Sequence, residues 1–187
     1  MGLKLKQKLL DDKGLKALLD EMAEQIAAEP FDFQELAFVG ILKNGVPLAK
    51  YLAKRIGEIK GVDLPVATVD ITLYRDDHID THFEPYSRQT EIPFSVTNRE
   101  LILVDDVLFT GRTVRAALRS ILELGRPRLI RLAVVADRGH REMPIRADYA
   151  GMTVDTTRNE GVRVRINAPE QDDGVYLYEN YLQKTKA

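Results

Sequence analysis

Asp105 and Asp106 stand side by side at the end of an apolar run, Leu101 to Val104, and Thr110, Gly111, Arg112 and Thr113 follow within a few residues. Ionised carboxylates only accept hydrogen bonds, so the pair suits sugar hydroxyls or a hydrated Mg2+. The Thr/Gly/Arg/Thr turn suits an anion. It opens a helix, whose unpaired N–H groups and partial positive charge favour phosphate. Gly111 allows close backbone approach, and the hydroxyls of Thr110 and Thr113 add donors. Phosphate on the turn and hydroxyls on the acids describe a ribose 5-phosphate.

The flanking pattern says what must hold these groups in place. Leu101–Val104 reads as a strand buried on both faces, as in a parallel sheet. Val114, Ala117, Leu118, Ile121 and Leu122 share one helical face, Gly125 sits where a left-handed C-terminal cap is wanted, and Pro127 follows. Upstream, Leu36–Ile41 is a second buried strand. A turn, Leu42-Lys43-Asn44-Gly45, leads into a helix over Val46–Ile59 with Pro47 in its first turn. Val66–Leu73 and Leu129–Ala136 are further strands, the latter delivering Asp137 and Arg138 at its carboxyl end. Val162–Ile166 alternates, which puts Arg163 and Arg165 on one face, and a last strand runs to Tyr178. Residues 1–12 read as a basic arm or short strand. Gly14–Ala28 is an amphipathic helix with Asp20, Glu21 and Glu24 on its polar side. This alternation predicts an α/β fold, an open twisted mainly parallel sheet flanked by helices, forming one domain over residues 1–187. Ligands of such sheets bind at the carboxyl ends of the strands, where the acid pair lies.

Composition narrows the class. The chain has 187 residues, 44% of them hydrophobic, with no cysteine and a net charge of -2. Disulfides and thiolate metal sites are excluded. No apolar run reaches membrane-spanning length and Met1–Lys8 lacks the apolar core of a signal peptide, so a cytoplasmic protein is expected. Basic charge is concentrated in Arg126–Arg165, with nine Arg, no Lys and five acids. Tyr74–Arg99 shows no period and many polar residues. His78 and His82 lie within it, but without helical pattern or a third ligand they do not make a metal site.

Val104 to Thr113 resembles the phosphoribosyl-pyrophosphate signature of type I phosphoribosyltransferases. Asp70–Asp77, Gly125–Pro127, Leu132–Tyr149 and the tail Val175–Asn180 widen the likeness. Together they resemble the pyrimidine-operon attenuation family, which binds messenger RNA and is also a uracil phosphoribosyltransferase; the run from Asp137 to Tyr149 selects that family.

The resemblance implies transfer of ribose 5-phosphate from phosphoribosyl pyrophosphate to uracil, with Mg2+, in a homo-oligomer. It implies that Val107, Leu108, Phe109, Thr110, Gly111, Arg112 and Thr113 hold the 5-phosphate. Leu42, Lys43, Asn44 and Gly45 would hold pyrophosphate, with Lys43 and Arg75 as cations and Gly45 permitting an unusual backbone conformation. Asp105 and Asp106 would hold the ribose, with Asp106 reaching Mg2+ through water. Asp137 and Arg138 would lie at the base, and His140, Arg141 and Arg146 at an mRNA leader. Residues 74–99 would form a mobile hood. Two alternatives stay open: an RNA-binding attenuator with vestigial catalysis, and a hypoxanthine or guanine enzyme, since Leu42–Gly45 resembles the loop of those enzymes.

Overall fold

A computed structural model describes residues 4–71, 90–167 and 172–179. The chain order is β1 (Lys4–Leu10), α1 (Asp12–Ala28), β2 (Leu36–Ile41), α2 (Gly45–Lys60), β3 (Val66–Val69), β4 (Glu100–Leu108), α3 (Arg112–Glu123), β5 (Leu129–Asp137), β6 (Tyr149–Thr153), β7 (Gly161–Arg165) and β8 (Gly174–Glu179). Five strands form a parallel sheet in the order β3-β2-β4-β5-β6. The other three form an antiparallel sheet, β1-β8-β7.

β4 is the middle strand and is apolar on both sides. Ile102 and Val104 join the core under α1 and α2, whereas Leu101 and Leu103 join the core under α3. That follows from the two-residue repeat of a strand covered on both faces. α1 is closed by its own sequence: the Asp11 carboxylate accepts from the Gly14 N–H at 2.8 Å, and Leu15, Leu19, Met22 and Ile26 are buried. Asp20, on its acidic side, binds Arg55 at 2.7 Å and accepts from the Tyr51 hydroxyl at 3.1 Å, so part of that face is a contact with α2.

Several expectations are corrected. β4 does not end at the acids but runs two residues further, to Leu108, because Asp105 and Val107 still pair with Val134 and Ala136 of β5. Leu122 is 56% exposed; α3 buries Val114, Ala116, Ala117 and Ile121 instead. The residue closing α3 is Leu124, in a right-handed conformation, while Gly125 lies close against Thr97. β6 was not expected, since Tyr-Ala-Gly-Met-Thr has neither alternation nor a run of β-branched residues. Residues 90–99 are not structureless. Glu91 bridges Thr68, Val96 is buried, and Ile92 and Phe94 pack on the α3-side core. Residues 74–89 of the expected hood lie outside the described residues, with Arg75, His78 and His82.

Tyr149 of β6 is buried and its hydroxyl has no hydrogen-bond partner among the described residues; burial pushes its pKa up to about 12. A buried hydroxyl left unpaired costs stability, so Tyr149→Phe should leave stability unchanged or raise it by about 1 kcal/mol. A urea titration at neutral pH reads this directly; a loss above that size would mean the hydroxyl is paired.

Candidate active site

The Leu42–Gly45 turn and the acid pair meet because β2 stops short of β4. The β2–β4 ladder ends at Gly40 and Val104, and the chain then crosses toward the front of β4. Gly45 makes this crossing possible. A Cβ there would lie 2.3 Å from the Val104 carbonyl oxygen, so any side chain would push α2 off the sheet. The requirement is for space, since Gly45 is not among the residues with positive φ. The Leu42–Lys43 peptide is cis. Asn44 then reaches across, its side-chain amide donating to the Asp106 carboxylate at 2.7 Å and to the Val164 carbonyl at 3.3 Å. One side chain thus ties the turn to the acid pair and to the small sheet. Lys43 is exposed and has no carboxylate partner among the described residues.

Asp105 is 7% exposed, and one of its carboxylate oxygens accepts from the Asp106 N–H at 2.9 Å. That bond fixes the carboxylate against its own strand. Asp106 is half-buried. Beyond β4, Gly111 adopts a left-handed conformation, φ 90°, as the N-cap of α3. It offers no side-chain cap, and the first turn of α3 carries no acid. α2 starts the same way: Asn44 makes no side-chain cap bond and no acid follows. Two uncapped helix N-termini therefore flank Asp105 and Asp106, while α1 is capped by Asp11. Uncapped first-turn N–H groups and the helix dipole favour an anion.

The outer side of the loop is occupied. The Leu108 carbonyl accepts from the Arg138 N–H at 2.9 Å, the Phe109 carbonyl from Arg141 at 2.8 Å, and the Thr110 carbonyl from the N–H groups of Glu142 and Met143 at 2.9 and 3.0 Å. With its carbonyls bound from behind, the loop is held by the segment after β5. Arg112 reinforces it through Glu142 at 2.9 Å. The Thr110 hydroxyl is weakly engaged, accepting from the Arg112 N–H at 3.4 Å.

The expected base and RNA residues divide by role. Arg138 is 6% exposed, with its guanidinium 4.0 Å from the centre of the Phe109 ring and bonds to the Thr156 hydroxyl and the Glu160 carbonyl. Asp137 pairs with Arg141, not Arg138. Burial works to raise the Asp137 pKa, but the bonds from Arg141 and the Gly139 N–H outweigh it and hold the carboxyl below its usual range. Arg141 also donates to the carbonyls of Gly139 and Ile145, so its guanidinium is used inside the chain. His140 bonds the Thr156 carbonyl at 2.6 Å and stands edge-on to Phe109. Of the three expected RNA residues only Arg146 is exposed with no partner among the described residues. Phe109 and Glu160 are supports that sequence reading left unassigned to these roles. Phe109 was read only as part of the 5-phosphate loop, and Glu160 lies far in sequence from Lys6 and Arg138.

Residues 6–168 match the phosphoribosyl transferase domain. The bifunctional protein PyrR of Pelotomaculum thermopropionicum is 49% identical over 174 residues, covering 93% of this chain and 96% of that protein. That of Thermus aquaticus is 46% identical over 177 residues, covering 95% and 98%. The chain belongs to the phosphoribosyl transferase domain family, in its bifunctional PyrR branch. The resemblance carried by Val104–Thr113 and Asp137–Tyr149 is borne out, and with it the α/β fold and a phosphoribosyltransferase joined to a regulatory role. Among solved structures, the hypoxanthine-guanine enzyme of Leishmania tarentolae in complex with GMP superposes with a TM-score of 0.69 at 18% identity, covering 92% of this chain and 96% of that one. That of Bacillus anthracis with HEPES in its active site gives 0.69 at 16%, covering 95% and 99%. At such identities the likeness concerns the fold and carries no preference for a purine. No helix among the described residues is long and apolar enough to cross a membrane.

Glu160 provides a check on how the small sheet is tied to the site. A hydrogen bond from Lys6 of β1, aided by the Thr157 N–H, lowers its pKa from 4.5 to about 2. A carboxyl depressed in the folded state stabilises fully above its unfolded pKa, and that stabilisation is lost as pH falls through the folded value. Wild-type stability should therefore fall more steeply between about pH 4.5 and 2 than that of Glu160→Gln, as read by urea titrations across that range. Parallel slopes would remove the Lys6–Glu160 tie.

Proposed function

We propose that this chain transfers ribose 5-phosphate from phosphoribosyl pyrophosphate to uracil, giving UMP and pyrophosphate. The observation that carries this reading is the pair of uncapped helix N-termini, those of α2 and α3, flanking Asp105 and Asp106. Such an arrangement can hold one anion on each side of a polyol. The loop Val107–Thr113 takes the 5-phosphate, and Leu42–Gly45 takes pyrophosphate. Asp105 and Asp106 accept the ribose hydroxyls and offer negative potential to a sugar carbon that gains cationic character as pyrophosphate leaves. Lys43 balances the departing charge, and Arg75 joins it in this reading. Arg138, braced on Phe109, and Asp137 border the base.

The donor set fits Mg2+. Among the described residues no group of three or more ligating side chains exists, so no protein cage for a metal is present there. Mg2+ commonly retains waters and binds through one or two carboxylates plus substrate phosphates, and Asp106 would hold it through water. When bound, the ion supplies charge neutralisation on pyrophosphate. The protein holds the sugar, orients its reacting face and positions the base.

A regulatory role over pyrimidine genes through an mRNA leader completes the reading. It is supported by the bifunctional relatives and by exposed Arg146. His140 and Arg141 contribute by shaping the surface that bears Arg146, since both are bonded inward. Self-association belongs to the same reading, and the exposed Leu122 and Leu124 on the end of α3 support it.

Pyrophosphate release should occur with uracil and Mg2+ and be far slower with hypoxanthine or guanine; a preference for a purine would overturn the base assignment. Asp105→Asn with Asp106→Asn should lower turnover by at least about 10²-fold, the scale of losing key transition-state electrostatics, with an unchanged circular dichroism spectrum. Full activity in that double variant would remove the acids from the mechanism. Filter binding to a pyrimidine-operon leader should weaken steeply with salt and weaken again in Arg146→Glu. Equal binding to unrelated RNA would end the regulatory half.

A further inference from the structure

A cavity of about 430 Å³ lies apart from the acid pair, between the N-terminal halves of α1 and α2 and the facing ends of β7 and β8. Leu15, Leu19, Pro47 and Ile166 give it apolar walls, a size and character typical of small-molecule sites. Lys50 and Lys54 border it one helical turn apart on α2. Both are exposed, and neither has a carboxylate partner among the described residues. This contrasts with Lys4, Lys6, Lys8 and Lys16, each of which is matched by an acid. Two like charges at this spacing repel, and an anion placed between them relieves the repulsion. The acids at the cavity are already engaged: Asp12 pairs with Lys16 at 2.9 Å, and Asp173 accepts from the Asn167 N–H at 2.9 Å.

The cavity also touches both supports of Asn44. Val46 and Pro47 line it and directly follow the Leu42–Gly45 turn. Ile166 and Asn167 line the other side and lie just beyond Val164, whose carbonyl accepts from Asn44. The same Asn44 amide holds Asp106. Material wedged between the start of α2 and the end of β7 therefore acts on the side chain that connects the turn to the acids.

We propose that this cavity is a regulatory site for a small amphipathic anion. An apolar or aromatic body fills the space between Leu15, Leu19, Pro47 and Ile166, and its carboxylate, phosphate or sulfonate sits on Lys50 and Lys54. Occupancy shifts the affinity of the Leu42–Gly45 turn for pyrophosphate. The coupling rests on the pyrophosphate assignment above; the binding site does not.

The probe is 1-anilinonaphthalene-8-sulfonate, titrated by fluorescence against the full chain. It should bind saturably, and Lys50→Glu with Lys54→Glu should weaken it at least tenfold. The uncharged N-phenyl-1-naphthylamine should bind both proteins equally. Lys50→Gln with Lys54→Gln, a milder change on the same exposed surface, should give a smaller loss in the same direction. Equal affinity of the sulfonate for wild type and both variants overturns the site, as does binding that never saturates. Calorimetry then measures Mg2+-pyrophosphate binding with and without saturating sulfonate. An affinity change of threefold or more in wild type, absent from the Glu variant, supports the coupling, and an unchanged affinity overturns it. Failure of pyrophosphate to bind under any condition would overturn the phosphoribosyl reading and the coupling together, while the sulfonate titration decides the site by itself.

Discussion

Binding of the Leu108, Phe109 and Thr110 carbonyls by the segment after β5 is the constraint on which the rest of the site depends. A loop that must present N–H groups to an anion has to place its carbonyls somewhere, and leaving them buried without donors would be costly. β5 delivers Arg138 in register beside Leu108, and the following turn brings Arg141, Glu142 and Met143 behind Phe109 and Thr110. The guanidinium of Arg141 is consumed in this work, with Asp137 holding it by charge. An arginine that a basic-patch reading would send to RNA is thereby a brace for the loop between β4 and α3.

Asn44 is the counterpart on the other side of the acids. Its single amide spans three elements: the turn before α2, the end of β4 and the middle of β7. The small antiparallel sheet is in turn fastened to the segment after β5 through Glu160, which takes Lys6 from β1 and offers its carbonyl to Arg138. The acid pair is thus fixed on both flanks by polar bonds, while the two apolar cores above and below β4 fix its height. Burial sets where the strand lies, and hydrogen bonds set which way its last residues face.

What could be read from the sequence was whatever is local or periodic. Leu36–Ile41 has the same bounds in sequence pattern and structure, and the helical patterns over residues 14–28 and 46–59 lie within two residues of α1 and α2. The acid pair and the Thr110–Thr113 turn were legible because strand, acids, glycine and helix follow one another without interruption. Contacts between distant segments were not. Nothing in Asn44 announces Val164, and nothing in Glu160 announces Lys6. Leu122 misled because helical spacing says which residues share a face, not how wide a surface the neighbour offers. β6 was missed because its pairing with β5 outweighs a weak local preference. A concentration of arginine does not by itself make a basic surface: Arg128, Arg131, Arg138 and Arg141 are engaged with Glu100, Asp148, Phe109 and Asp137, and Arg163 and Arg165 lie over the rings of Tyr178 and Tyr176.

The central placement of β4 bears on how the molecule opens. It is paired along both edges and roofed on both sides, so its amides should be among the last to exchange with solvent and should open only with the whole sheet. The three-stranded sheet places Val162, Val164, Val175 and Leu177 in the same core as Ile102 and Val104 of β4, so its packed face should open with that core. Asp105 and Asp106 thus ride on the slowest-opening strand of the sheet.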